Sequence, residues 1–388
     1  MTLSCTWKGL FGWKPRPMSS VAPCMSGITI KDDFTQKLTR LWEGLLGVHP
    51  IEPNQNYFDL GGDSLLAVQM FDQIDRMFQV KLPVATLFDA PTIADLVEIL
   101  VYEPQNSPSP CLVAIQPKGS RPPFFCMHGA GGGVLIYREL SQHLGDDQPF
   151  YGLQSQAMDG SSEPQTRFED MAIDYVREIR RIQPRGPYYL GGYCSGGTIA
   201  YEVAQQLRAK GEEIALLAMF DTLNWCKVPP LTPAKKVQMG VEKTIFHILN
   251  VARLDGSGKR DFLVGKIRDL RNRIPVWRGM LLDKLARGSA AGGFQSIAVG
   301  RIWAANDRAA TDYVPKPYPG VVTDFRPLRQ YSIHRQADLK WDKLAQRGQT
   351  IVRVPVYPAG MLVEPFVGAL AEALRKSIDS AMQSQQRV

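Results

Sequence analysis

Five residues, Gly192-Tyr193-Cys194-Ser195-Gly196, constrain this chain more than any other stretch. They fit a turn that joins a strand directly to a helix, with a thiol at its apex. The run Pro187-Tyr188-Tyr189-Leu190 before them reads as a strand, and Gly197 to Leu207 after them reads as a helix. Small residues are needed two before and two after the apex, because the turn is too tight there for a Cβ. Such a turn holds the Cys194 thiol at the helix N-terminus, where the dipole and free N–H groups are expected to favour a thiolate. A buried cysteine beside glycines in any β-turn-α unit would share the pattern, so the surrounding segments decide.

They favour the nucleophile elbow. Arg121 to Gly133 reads RPPFFCMHGAGGG, an apolar strand running into a glycine loop. An elbow nucleophile needs two N–H donors for the developing oxyanion, and here these are the backbones of Ala130 and Ser195. The side chain of His128 is expected only to cap the glycine turn. Downstream, Ile214 to Phe220 is a further apolar strand that ends in Asp221, at the carboxyl edge where α/β sites are built.

From about Leu112 to Ser377 the chain resembles the type I thioesterase domains of nonribosomal peptide and polyketide synthetases. The resemblance runs through FFCMHGAGGGVLIYRELSQHLGDDQPFYGLQ, YYLGGYCSGGTIAYEVAQQL, LLAMFDT, DYVPKPYPGVVTDF and LKWDKLAQRG, in order. It implies an α/β-hydrolase fold, a mostly parallel sheet with flanking helices and a helical lid. It also implies Cys194 as nucleophile and Asp221 as the triad acid. Cysteine in place of serine is a minority variant of the family.

A second motif, Asn56-Tyr57-Phe58-Asp59-Leu60-Gly61-Gly62-Asp63-Ser64-Leu65, resembles the attachment site of acyl and peptidyl carrier domains. Residues 31–103 read as the whole four-helix unit. The resemblance implies that Ser64 accepts 4′-phosphopantetheine from a phosphopantetheinyl transferase. Without it, Ser64 would read as an ordinary helix N-cap.

The 388 residues, 44% of them hydrophobic, are ample for a small carrier and a large α/β domain. The expected division is an N-terminal arm over 1–30, the carrier over 31–103 and a Pro/Ser-rich linker over 104–111. The thioesterase follows over 112–380, with its lid at about 226–312, and 381–388 form a tail. No apolar run of about 18 residues suits a membrane span. The six cysteines are scattered without metal or disulfide spacing, as a reducing cytoplasm would have them. Charge divides unevenly: 31–103 holds five Lys/Arg against twelve Asp/Glu, while 235–308 holds fifteen against six. A basic lid would steer an acidic carrier towards it, although a solvated helical face would look the same. No aromatic-and-basic module for nucleic acid is present.

One departure from the family matters. Its triad histidine lies in a loop resembling Val356-Tyr357-Pro358-Ala359-Gly360-Met361-Leu362-Val363-Glu364-Pro365, and Pro358 occupies the histidine's place. Among the five histidines, His334 follows the strand Val321–Phe325 and is the candidate for a displaced base. A missing histidine argues against fast hydrolysis and towards acyl transfer to an amine or another carrier thiol. The expected activity is thus transfer of a carrier-bound acyl or aminoacyl group from Ser64 to Cys194, then release to water, an amine or a thiol. Loading by adenylation or other synthetase domains would occur in trans. The alternative is a non-catalytic scaffold, a carrier joined to a pseudo-thioesterase.

Overall fold

Apolar residues at helical spacing build the first unit of this computed structural model, which describes residues 30–80, 82–102, 111–159, 162–226, 228, 232–256, 259, 294–332 and 341–385. Helix α1 (Ile30–Leu46) buries Leu38, Leu41, Trp42, Leu45 and Leu46, one face of a 3.6-residue period. Helices α2 (Ser64–Phe78), α3 (Thr86–Asp89) and α4 (Ile93–Tyr102) close around it. Trp42, Tyr57, Met70, Phe71 and Leu96 form the shared core. Each such side chain taken out of water contributes about 1.5–3 kcal/mol, enough for a small bundle to hold its own core. Thr92 fixes the start of α4, its Oγ accepting the Asp95 N–H at 3.1 Å.

The second unit is a seven-stranded sheet in the order β1-β3-β2-β4-β5-β6-β7. Its strands are β1 (Leu112–Gln116), β2 (Phe124–Met127), β3 (Phe150–Leu153), β4 (Tyr188–Tyr193), β5 (Ile214–Phe220), β6 (Val322–Arg326) and β7 (Gln349–Arg353). β1 runs antiparallel to β3, and every other pairing is parallel. Parallel strands are covered on both faces, hence the near-continuous apolar runs of β2 and β5. One face packs under α6 (Phe168–Ile182) and α7 (Ser195–Ala209) through Phe168, Tyr175, Ile199 and Leu207. The other packs under α5 (Arg138–Leu144) and the C-terminal helix through Leu140, Val367, Leu370 and Leu374.

Two lid helices lie over the carboxyl edge, α8 (Pro233–Ala252) and α9 (Phe294–Asp312). The last helix, α10, runs Val367–Gln385, so the segment expected to be a tail from 381 is helical over 381–385 and packs Ala381 and Met382 on the core. The arm up to residue 29, residues 103–110 of the linker region, the lid stretch 260–293 and His334 lie outside the described residues. Among the described residues no helix is long and apolar enough to cross a membrane.

Candidate active site

The elbow forms as its glycines require. Cys194 adopts φ 56° and ψ −121°, a conformation side-chain-bearing residues rarely take. A Cβ on Gly192 would run into the Gly196 backbone, and one on Gly196 would run into the Met127 carbonyl. β4 and β5 meet in register at Tyr193 and Phe220, and the Cys194 N–H donates to the Phe220 carbonyl at 3.0 Å. Cys194 and Asp221 are therefore the next residues on neighbouring strands, which lie about 4.8 Å apart.

The thiol is the reverse of what the helix N-terminus predicts. Burial pushes Cys194 from its ordinary 9.0 up to about 11, and the charges of Asp221 and Asp307 add to the rise. The Ser195 N–H hydrogen-bonds the sulfur and lowers it only in part. Desolvation and nearby carboxylates outweigh the helix end, so the resting group is a thiol.

The glycine loop stands opposite. The Ala130 carbonyl accepts a 2.9 Å hydrogen bond from Asn306 of α9, a residue almost wholly buried. That bond fixes the peptide that follows the loop's first turn. Tyr137 ties loop to elbow: its hydroxyl donates to the Met127 carbonyl at 2.6 Å and accepts the Tyr193 N–H at 3.0 Å. His128 is fully buried, with Nδ1 2.6 Å from the Gly129 carbonyl and Nε2 2.8 Å from the Tyr175 hydroxyl. Burial lowers it to about 4, so it is a neutral strut of the turn, as the sequence led us to expect.

Asp221 directly follows β5 at φ 44°, with its N–H bonded to the Phe325 carbonyl at 2.9 Å. It is 8% exposed, and its Oδ1 is buried without a hydrogen-bond partner. Burial and the neighbouring Asp324 raise it to about 7, while a hydrogen bond from Gln330 and the charge of Arg326 pull it back. Asp324 lies on β6 and accepts from Arg326 Nε at 2.6 Å and Gln349 Nε2 at 2.8 Å.

Where the family's histidine would stand, Pro358 is buried in a short turn, Pro358–Gly360, and offers no side-chain nitrogen. The preceding Tyr357 is held at both backbone atoms by Asn250 of α8, at 2.9 Å and 3.3 Å. Phe246 packs between Tyr331 and Tyr357, with ring centroids 5.3 Å and 5.4 Å away. Gln238 and Glu242 of the same helix bond Ser332 at 2.8 Å and 2.9 Å. Residues 238, 242, 246 and 250 share one helical face, and that face grips both loops beside the elbow. Tyr331 is close enough to Asp221 and Cys194 for their charges to add to the burial that pushes it up to about 12.

The sequence reading thus brought together Cys194, Ser195, Ala130 and Asp221. It missed Gln330, Tyr331, Asn306 and Asn250, which act through loop and lid placement. It also missed Asp324, whose signal was available: an acid inside the apolar strand VVTDF.

On the carrier, Asp63 is the cap of α2. Its Oδ1 accepts the Leu66 N–H at 2.9 Å and its carbonyl accepts the Ala67 N–H at 2.9 Å. Ser64 is then the first helical residue. Helix α2 packs beside α9, and Arg138 lies over the Phe58 ring at 4.1 Å.

The fold is a small helical domain joined to an α/β-hydrolase-type domain. Residues 36–100 match the phosphopantetheine attachment site family, and residues 122–242 match the thioesterase domain family. The chain is 42% identical over 187 residues to malpinin synthetase of Mortierella alpina, covering 48% of this chain and 2% of that one. It is 30% identical over 357 residues to chondramide synthase of Chondromyces crocatus, covering 89% of this chain and 9% of that one. Among solved structures it matches a four-domain nonribosomal peptide synthetase crystallised with AMP and glycine. That match has TM-score 0.54 and 23% identity, and covers 93% of this chain and 27% of that chain. The chain thus carries the carrier and thioesterase units found in nonribosomal peptide synthetases, and spans only a small part of the relatives it matches.

Proposed function

We propose that the thioesterase domain takes an acyl or aminoacyl group from a carrier-borne thioester onto Cys194, then gives it to water, an amine or another carrier thiol. The observation that carries this reading is the elbow: Cys194 at positive φ, with the Ser195 N–H on its sulfur and the glycine loop facing it. Ala130 and Ser195 supply the two backbone donors for the oxyanion, and Asn306 steadies the first of them through its carbonyl. Asp221 is the acid of the site. His334, which lies outside the described residues, is retained as the candidate displaced base.

Ser64 holds the 4′-phosphopantetheine, which when bound supplies a flexible thiol for the acyl group. The chain's own contribution on that side is the Asp63 cap, which sets Ser64 at the first position of α2. A phosphopantetheinyl transferase and synthetase domains acting in trans are the partners this implies. The rival reading, a pseudo-thioesterase scaffold, draws on Pro358 at the histidine's place.

Intact-mass mapping of the full chain, acylated on Ser64, tests the reading. Acyl mass that passes to Cys194 and then leaves, faster with added amine than in water alone, is the expected result. An acyl group that stays on Ser64 equally in wild type and Cys194→Ala would establish the scaffold instead.

A further inference from the structure

Three observations meet beside Cys194. First, Asp221 and Cys194 directly follow paired residues of β4 and β5, so both leave the sheet at one point of its edge. Second, Asp221 Oδ1 is buried and, among the described residues, has no hydrogen-bond donor, an acceptor held ready. Third, the loop that would bring an imidazole between them carries buried Pro358, and Asn250 clamps it there. Of the four described histidines, His128 is engaged with Tyr175, His143 with Glu364 and His49 with Glu43, and His247 lies on α8.

We propose that Asp221 itself is the proton acceptor at Cys194, with Gln330 as its positioning residue, so that a cysteine–carboxylate pair replaces the three-membered arrangement. This rests on the reading of Cys194 as nucleophile. As Sγ attacks the carbonyl carbon of an acyl thioester, the Sγ–H proton passes to Asp221 and the new C–S bond forms. The bond to the departing sulfur breaks, and that thiolate takes the proton back from Asp221. Acyl group and proton have exchanged sulfurs, and the carboxylate is ionised again.

The electrostatics agree with this division of labour. A thiol at about 11 is ionised to about one part in 10⁴ at pH 7, so attack needs the proton removed in the same event. Asp221, near 7, is ionised about half the time there yet basic enough to accept it. The groups around the pair are Asp324 and Arg326 from β6, Gln330 and Tyr331 from the loop after it, and Tyr193 from the elbow. Asp307 of α9 faces Cys194, and Glu242 of α8 faces Tyr331. Arg326 is the one cation among them, and it is bonded to Asp324.

Two rates on the full chain separate this role from a structural one. The first is acylation of Cys194 by a simple acyl thioester of N-acetylcysteamine; the second is alkylation of Cys194 by iodoacetamide. Both are read by intact mass and peptide mapping from pH 6 to 9. Because the Asp221 charge raises the thiol, Asp221→Asn should speed alkylation severalfold. Loss of the base should slow acylation at least about 100-fold. Gln330→Leu, which removes a bond favouring the ionised acid, should move the acylation midpoint to higher pH. A fall of both rates together in Asp221→Asn, or a change in acylation below about threefold, would overturn the proposal. So would acylation lost in His334→Ala and kept in Asp221→Asn. Wild-type Cys194 that alkylates but never acylates would instead sink the nucleophile reading, and this inference with it.

Discussion

Alkylation of wild-type Cys194 measures the balance between the helix end and its surroundings. Burial and the Asp221 charge lift the thiol from 9.0 to about 11. Two units of rise leave roughly 100-fold less thiolate at pH 7.5 than an unperturbed cysteine has. A more basic thiolate is also a better nucleophile, and a Brønsted slope of about 0.4–0.5 returns somewhat less than tenfold of that loss. The net expectation is alkylation slower by roughly 10-fold on electrostatic grounds, before any hindrance by the lid. Cys226, partly exposed, is the internal comparator, followed by peptide mapping with iodoacetamide. The Cys194 rate should keep climbing past pH 9 and through pH 10. A rate that levels off by pH 8, at or above that of Cys226, would mean that the dipole and the Ser195 N–H govern the sulfur after all.

The buried acids set a pH dependence of stability. Asp221 rises from 3.8 to about 7, so the folded chain holds a proton that the unfolded chain has released. Stability should therefore fall as pH rises from about 4 to about 7, by up to about 4 kcal/mol. Asp324 adds in the same direction. Asp221→Asn should flatten that decline, and urea midpoints at pH 5 and 8 that still differ as in wild type would contradict it. Asn250→Ala strands two part-buried backbone groups of Tyr357 and should cost about 1–3 kcal/mol in thermal melts. A loss below about 1 kcal/mol would mean that the loop finds other partners. In the carrier, Asp63→Ala should cost about 1 kcal/mol while Ser64→Ala stays within about 0.5 kcal/mol, and the reverse order in denaturation would move the cap to Ser64.

What could be read from the sequence divides by range of interaction. The elbow was legible because Gly192 answers to a contact four residues away, and β5 because a parallel strand buried on both faces writes an unbroken apolar run up to Asp221. The carrier motif was legible for the same local reason, although the cap fell to Asp63 and not to the serine beside it. The state of the thiol was misread, because burial under lid helices and the proximity of Asp221 depend on elements far apart in the chain. Asn306 and Asn250 gave no local sign either. Each bonds a backbone group more than a hundred residues distant, and a lone asparagine in a helix looks like any solvated one.

The grip of α8 has a mechanical consequence. Gln238 and Glu242 hold the loop at Ser332, Asn250 holds the loop at Tyr357, and Phe246 is wedged against a ring from each. With one stiff rod fastened to both, neither loop can shift alone. Swinging the rod outward must break several bonds at once, and returning it must remake them together. Access to the sulfur would then have two settings with nothing stable between them, a latch rather than a hinge.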